Sequence, residues 1–175
     1  HQAKLGVNPF KFGLIGSTDT HKGLSTANDS NFWGKTSGPT PDRLKLVGPK
    51  GEGEGTASGY TAVWETENTR EALFAAMKRK EVYATTGPRM TVRFFGGWDF
   101  DQNDAYRPDL ARVGYTGGVP MGGDLTSAPA GKAPSFVIRA VKDPDGANLD
   151  RVQVIKGWLG KDGELHETIY NVALS

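Results

Sequence analysis

Apolar positions in this chain fall into short runs whose spacing changes from strand-like to helix-like and back. The first run, Phe10 to Ile15, is short and nearly continuous, so it reads as one buried strand preceded by a loop. It ends in the small-residue turn Gly16-Ser17-Thr18-Asp19-Thr20-His21. From Lys22 to about Tyr60 periodicity is lost and Gly, Ser, Thr, Pro and Asn dominate, which predicts a long loop. Leu44, Leu46 and Val47 are its only clustered aliphatics, and the tract Gly48 to Gly55 is too flexible and polar to pack.

A clear helix follows. Asn68 or Thr69 can cap it, and Glu71 falls in its first turn, where negative charge complements the helix dipole. Ala72, Leu73, Ala76 and Met77 make an apolar stripe at helical spacing, and Lys78, Arg79 and Lys80 close the C-terminal end. Val82 onward reads as a short strand ending in the Gly87-Pro88 turn before Arg89. Beyond Met90 the pattern becomes strand-like, with β-rich runs at Thr91 to Phe95, Ser135 to Val141, Arg151 to Trp158 and Glu167 to Val172. Turns of the Asp-Pro-Asp-Gly and Lys-Asp-Gly type separate several of them. The predicted organisation is therefore residues 1–89, an α/β portion containing the loop at about 22–60, and residues 90–175, an antiparallel β-sandwich-like module that reads as incomplete.

Composition narrows the function classes. The 175 residues carry 21 basic and 20 acidic side chains, a formal net charge of +1, with no basic stripe to hold nucleic acid. There is no cysteine, which excludes disulfides, thiolate metal sites and a cysteine nucleophile. Absence of cysteine fits a periplasmic, secreted or cytoplasmic protein alike, so the compartment stays open. No apolar run approaches the ~20 residues of a membrane-spanning helix. The chain opens on His1 rather than Met, which fits a processed chain or a piece of a longer one.

The chemistry-bearing feature is the Asp19-x-His21 pair. In an extended segment a period of two puts both side chains on one face, where a carboxylate oxygen and an imidazole nitrogen suit a divalent metal. A catalytic metal needs at least three protein ligands, so two alone leave the site short. The bland alternative is a strand-end turn in which the carboxylate caps the next segment.

The order of the blocks carries a resemblance. Gly6 to His21 resembles the C-terminal metal motif of the polymerase-and-histidinol-phosphatase (PHP) superfamily. More closely, the chain resembles a large bacterial family of PHP-like proteins named as a domain of unknown function. Further blocks carry the likeness: Glu67 to Phe74 through Tyr83 to Gly87, then Val92 to Trp98, Gly118 to Leu125 and Lys142 to Asp150. The resemblance implies a metal-dependent hydrolase on a distorted (β/α) barrel with an appended β-sandwich. This chain would be its C-terminal portion, holding the barrel's last strand and helix. Asp19 and His21 would then be the last ligands to zinc, manganese or iron, with more than one ion in the intact protein. The family's earlier ligands, including an N-terminal His-x-His pair, would precede His1. Metal-activated water would attack a phosphoester or related ester, with Asp19 bridging a metal or orienting that water and His21 as a neutral nitrogen ligand.

Other candidates are weaker. Arg89 and Arg70 suit an anionic substrate group, since guanidinium matches phosphate and carboxylate; Arg70, in the first helical turn, has pairing with a nearby Glu as its alternative. Asp143, Asp145, Asn148 and Asp150 offer oxygen ligands but lack the calcium-loop spacing, so a hairpin turn is the better reading. His166 reads as a solvent-facing strand residue, His1 as an end residue, and the four tryptophans, Trp33, Trp64, Trp98 and Trp158, as packing. Ser17 near His21 lacks the nucleophile-elbow pattern of a serine triad. Two function classes result: part of a PHP-like hydrolase of small ester or phosphoester substrates, or a noncatalytic β-sandwich binding or assembly module carrying a barrel remnant. A barrel remnant exposes an edge and an apolar face, so the expected partner is the remainder of its own protein or another copy of itself.

Overall fold

The computed structural model describes residues 2–19 and 59–175. His1, His21, Trp33 and the Leu44 to Val47 cluster lie outside the described residues.

A short helix, α1 (Gln2–Leu5), precedes a segment without regular secondary structure through Asp19. The next elements are strand β1 (Tyr60–Val63), helix α2 (Arg70–Arg79) and strand β2 (Val82–Thr85). Helix α2 begins as its sequence dictates: Thr69 is extended, and its Oγ1 accepts a hydrogen bond from the Ala72 amide at 3.3 Å. It ends at Lys80 in the left-handed conformation, whose N–H returns to the Met77 carbonyl. Of its stripe only Ala76 is buried; Phe74 and Met77 are exposed. Strands β1 and β2 pair antiparallel, Tyr60 opposite Thr85 and Val63 opposite Val82.

The second half contains β3 (Thr91–Gly97), a single 3₁₀ turn at Asp104–Tyr106, helix α3 (Leu110–Gly117), β4 (Gly118–Pro120), β5 (Ser135–Val141), β6 (Arg151–Leu159) and β7 (Leu165–Leu174). One antiparallel sheet has the order β4-β3-β5 and another is the β6–β7 hairpin. The period of two is visible in β3. Phe95, fully buried, faces Leu110 and Val137 with Phe100 and Ala105 around them, which makes the core cluster. Phe94 faces the other way, stacks on Phe136 at 5.4 Å, and lines a cleft of about 1000 Å³ whose far wall includes Val152, Val154 and Tyr170. These small antiparallel sheets are compatible with a β-rich, sandwich-like module.

Four local expectations change. Phe10 to Ile15 is neither a strand nor buried: Phe10, Phe12, Leu14 and Ile15 are all 60% exposed or more, because no described element packs over their apolar side chains. Tyr60, where the predicted loop ends, opens strand β1, whose remaining residues through Val63 have no predicted element. Helix α3 interrupts a half read as purely β, since Leu110, Val113 and Gly114 fall on one helical face and two of them, Leu110 and Gly114, are buried. The Asp143–Gly146 turn is real, with the Asp143 side chain accepting from the Asp145 amide at 3.0 Å. It joins β5 to β6 in different sheets, however, so it is not a hairpin. The Lys161-Asp162-Gly163 turn does close a hairpin, β6–β7.

Candidate functional site

The segment carrying Asp19 has no regular secondary structure, and at Asp19 it leaves the extended conformation on which the period-of-two reading of Asp19 and His21 depended; backbone fit holds it in place. A Cβ at Gly16 would stand 2.5 Å from the Tyr60 carbonyl oxygen and 2.9 Å from that of Thr85, so only glycine lets the segment lie on the β1–β2 rung. Thr61 Oγ1 donates to the Gly16 carbonyl at 2.7 Å. Three residues on, Asp19 adopts a left-handed backbone with φ 57°, a conformation Asp tolerates better than most residues, and its amide donates to Ser17 Oγ at 3.3 Å. Its exposed carboxylate is thus delivered at the end of an anchored segment. Among the described residues no three His, Asp or Glu side chains converge as a metal site, and His21 lies outside them. A carboxylate such as that of Asp19 is a hard oxygen donor of the kind divalent cations favour.

Arg89 is exposed, with its guanidinium carbon 5.8 Å from the centroid of the Tyr60 ring, the residue whose carbonyl abuts Gly16. Its backbone amide donates to Asp143 Oδ2 at 2.6 Å, and that bond with the one from Asp145 holds the Asp143 carboxyl below the usual carboxylate range. Arg70 opens α2, away from this rung, and forms no ion pair among the described residues. Trp64 and Trp98 pack as expected, each donating its indole N–H to a backbone carbonyl: Val92 at 2.9 Å and Thr126 at 3.2 Å. Trp158 lies instead on the β6–β7 surface, stacked on His166 at 5.2 Å, with His166 Nε2 3.3 Å from Asp162.

A buried charge cluster was not foreseen. Glu81, 3% exposed, sits at the junction of α2 and β2. Its Oε1 accepts from the Tyr115 hydroxyl of α3 and lies 3.6 Å from Arg93 Nη1 of β3; its Oε2 is 3.4 Å from Arg79 Nε. Arg93 also donates to the Tyr115 hydroxyl at 3.1 Å and stacks over Trp64, 3.4 Å from its centroid. Arg79 bridges onward to Glu65 at 2.9 Å, which lowers the Glu65 carboxyl below its ordinary value. Burial, then the bond to Glu81, pushes the Tyr115 phenol above its ordinary value. One carboxylate is therefore matched by two guanidinium groups and a phenol, as a charge withdrawn from water requires. The signal in the sequence was faint: Glu81 directly follows three basic residues of a helix end and reads as one more solvated charge.

Two further contacts tie the second half to the first, one to the Asp19 segment and one to the end of α2. Lys11 Nζ pairs with Asp124 Oδ2 at 2.6 Å, lowering the Asp124 carboxyl, and Gly122, at φ 82°, packs its backbone against the Lys80 carbonyl with no room for a side chain. Gly122 and Asp124 belong to the Gly118–Leu125 block singled out in the sequence.

No curated protein and no solved structure matches the chain. The model of one protein family, described as Protein of unknown function (DUF3604), matches residues 1–175, the whole of the sequence; the chain belongs to that family.

Proposed function

We propose that this chain is part of a PHP-like metal-dependent hydrolase, its first portion the last section of a distorted (β/α) barrel and its second an appended sandwich. Asp19 and His21 are its ligands to divalent metal (zinc, manganese or iron). The observation that carries this reading is the seating of Gly16 on the Tyr60–Thr85 rung, which fixes where the chain delivers Asp19. A capping turn needs no such anchorage, whereas a metal ligand does, because ligand geometry must be held closely for a catalytic ion. When bound, the metal supplies a water ionised near neutral pH and polarises the scissile phosphoryl or carbonyl oxygen. Asp19 contributes an oxygen donor and His21 a neutral nitrogen donor. Arg89, resting on the Tyr60 ring, offers five N–H donors to the anionic part of an ester or phosphoester substrate.

The test is hydrolysis of a panel of phosphomonoesters and carboxylic esters by the longest natural protein that contains this sequence. The expected result is metal-dependent turnover of at least one ester, abolished by His21→Ala and reduced by Arg89→Met. Turnover unaffected by chelation or by His21→Ala contradicts the reading.

A second reading, a noncatalytic binding or assembly module, is favoured by the cleft of about 1000 Å³ between the β4-β3-β5 sheet and the β6–β7 hairpin. Its lining of Phe94, Phe136, Ile138, Val154 and Tyr170 suits apolar contact. Absence of any hydrolysis or metal in the longer protein favours this reading.

A further inference from the structure

We propose that the second half of the chain positions the Asp19 segment, and that buried Glu81 is the pin through which it does so. The functional meaning of this placement rests on the metal reading above; the placement itself does not.

The path runs in three steps. Arg93 on β3 and Tyr115 on α3, both from the second half, grip the Glu81 carboxylate, which belongs to the first. Glu81 immediately precedes β2, and its backbone is fixed as well: its amide donates to the Ala76 carbonyl at 3.0 Å and its carbonyl accepts from the Trp64 amide at 3.1 Å. Strand β2 and its approach then form the bed of the Asp19 segment. A Cβ at Gly13 would lie 3.3 Å from both Lys80 Cβ and Val82 Cγ2, and Gly16 rests on the Thr85 carbonyl.

Parallel ties reinforce the same junction. The Tyr83 hydroxyl donates to the Met90 carbonyl at 2.8 Å and accepts from the Val92 amide at 3.3 Å, while the Trp64 indole reaches the Val92 carbonyl. From the other side, Gly122 touches Lys80 and Asp124 holds Lys11, so the segment is bracketed by β2 and by the Gly118–Leu125 loop. A buried carboxylate with this many directed partners has one low-energy arrangement, because leaving the carboxylate itself unmatched away from water is costly. That property suits a pin. The exposed Lys11–Asp124 pair alone is too solvated to serve as one. On this account Glu81, Arg93 and Tyr115 are positioning residues for Asp19, acting through β2.

The absence of cysteine makes the test direct, since Leu14→Cys gives the longer protein a single attachment point for a nitroxide label at an exposed position of the segment, provided its other cysteines are absent or replaced. The label is read by electron paramagnetic resonance in the otherwise natural background and with Glu81→Gln, Tyr115→Phe or Thr69→Ala added, alongside circular dichroism. The last variant removes a helix cap outside the pin and controls for general loss of stability. The expected result is an immobilised component that is lost in Glu81→Gln and in Tyr115→Phe but kept in Thr69→Ala, with secondary structure unchanged in all. If Glu81→Gln does not fold, Tyr115→Phe decides by itself. A label equally immobilised in Tyr115→Phe, or equally freed by Thr69→Ala, overturns the inference. Manganese titration of the same proteins separates the two proposals. Absence of binding in the unsubstituted protein removes the metal reading, while the label spectra still judge the pin.

Discussion

Strands β3 and β6 have similar sequences and opposite fates. Both begin with alternating polar and apolar residues, both pair antiparallel, and both carry aromatic and basic side chains. Yet β3 ends in three buried residues, with Phe95 wholly enclosed, whereas β6 and its partner β7 contain no buried residue. Ile155, Leu159, Leu165 and Leu174 are each more than 60% exposed. The difference lies in what covers the strand. Helix α3 and the 3₁₀ turn close over one face of β3, while among the described residues the β6–β7 hairpin faces the β4-β3-β5 sheet across an open cleft. Alternation makes a strand and sets its register; burial needs a second layer.

Substitutions sharpen that contrast. Phe95→Ala empties the centre of the core and is expected to cost about 3–5 kcal/mol in denaturant unfolding. The matching change on the hairpin, Ile155→Ala, is expected to fall within about 0.5 kcal/mol, since its side chain is already mostly in water. Equal losses at the two positions would mean that the hairpin is covered in solution. Next in size is Gly114→Ala, whose methyl group would collide with the Phe95 ring, expected to cost about 1–3 kcal/mol by overpacking. Tyr115→Phe withdraws a donor from the buried Glu81 carboxylate and is expected to cost about 1–3 kcal/mol, whereas losing the exposed Lys11–Asp124 pair costs no more than about 1 kcal/mol. Thr69→Ala, a cap exposed to water, is expected to cost about 1 kcal/mol.

The partly desolvated Tyr115 phenol also gives a pH signature. Burial favours the neutral form, so folded Tyr115 keeps its proton to higher pH than the unfolded chain, whose tyrosines titrate near 10.0. With the folded value raised, its contribution to stability is full below about pH 10 and is lost as pH rises through the folded value. Phenolate absorbance should show a late-titrating tyrosine in the native protein that disappears in Tyr115→Phe.

Where local chemistry decides the structure, the sequence was readable. Thr69 capped α2, Gly87-Pro88 ended β2, and Ser135–Val141 formed a strand with the bounds its alternation implied. It misled where the outcome depends on distant partners. Phe10 to Ile15 has the composition of a buried strand, but its apolar side chains stay exposed. Helix α3 was missed because Gly114 and Gly117 weaken a short helical pattern, and Gly114 is small in order to admit the Phe95 ring. Of the candidate residues, Asp19 was singled out for its place in a small-residue turn and Arg89 for its place after the Gly-Pro turn. Glu81 was not, since a carboxylate beside three basic residues gives no sign that Arg93 and Tyr115, 12 and 34 positions later, will fold over it.

Elemental metal content bears most directly on the hydrolase proposal. It would be measured on the longest natural protein containing this sequence, beside its Asp19→Asn and His21→Ala variants, after loading with zinc, manganese or iron and removal of excess. The account predicts tightly held metal in the unsubstituted protein and a clear loss in both variants. Metal that stays bound at the same stoichiometry in both variants, or none in any of the three proteins, would contradict it.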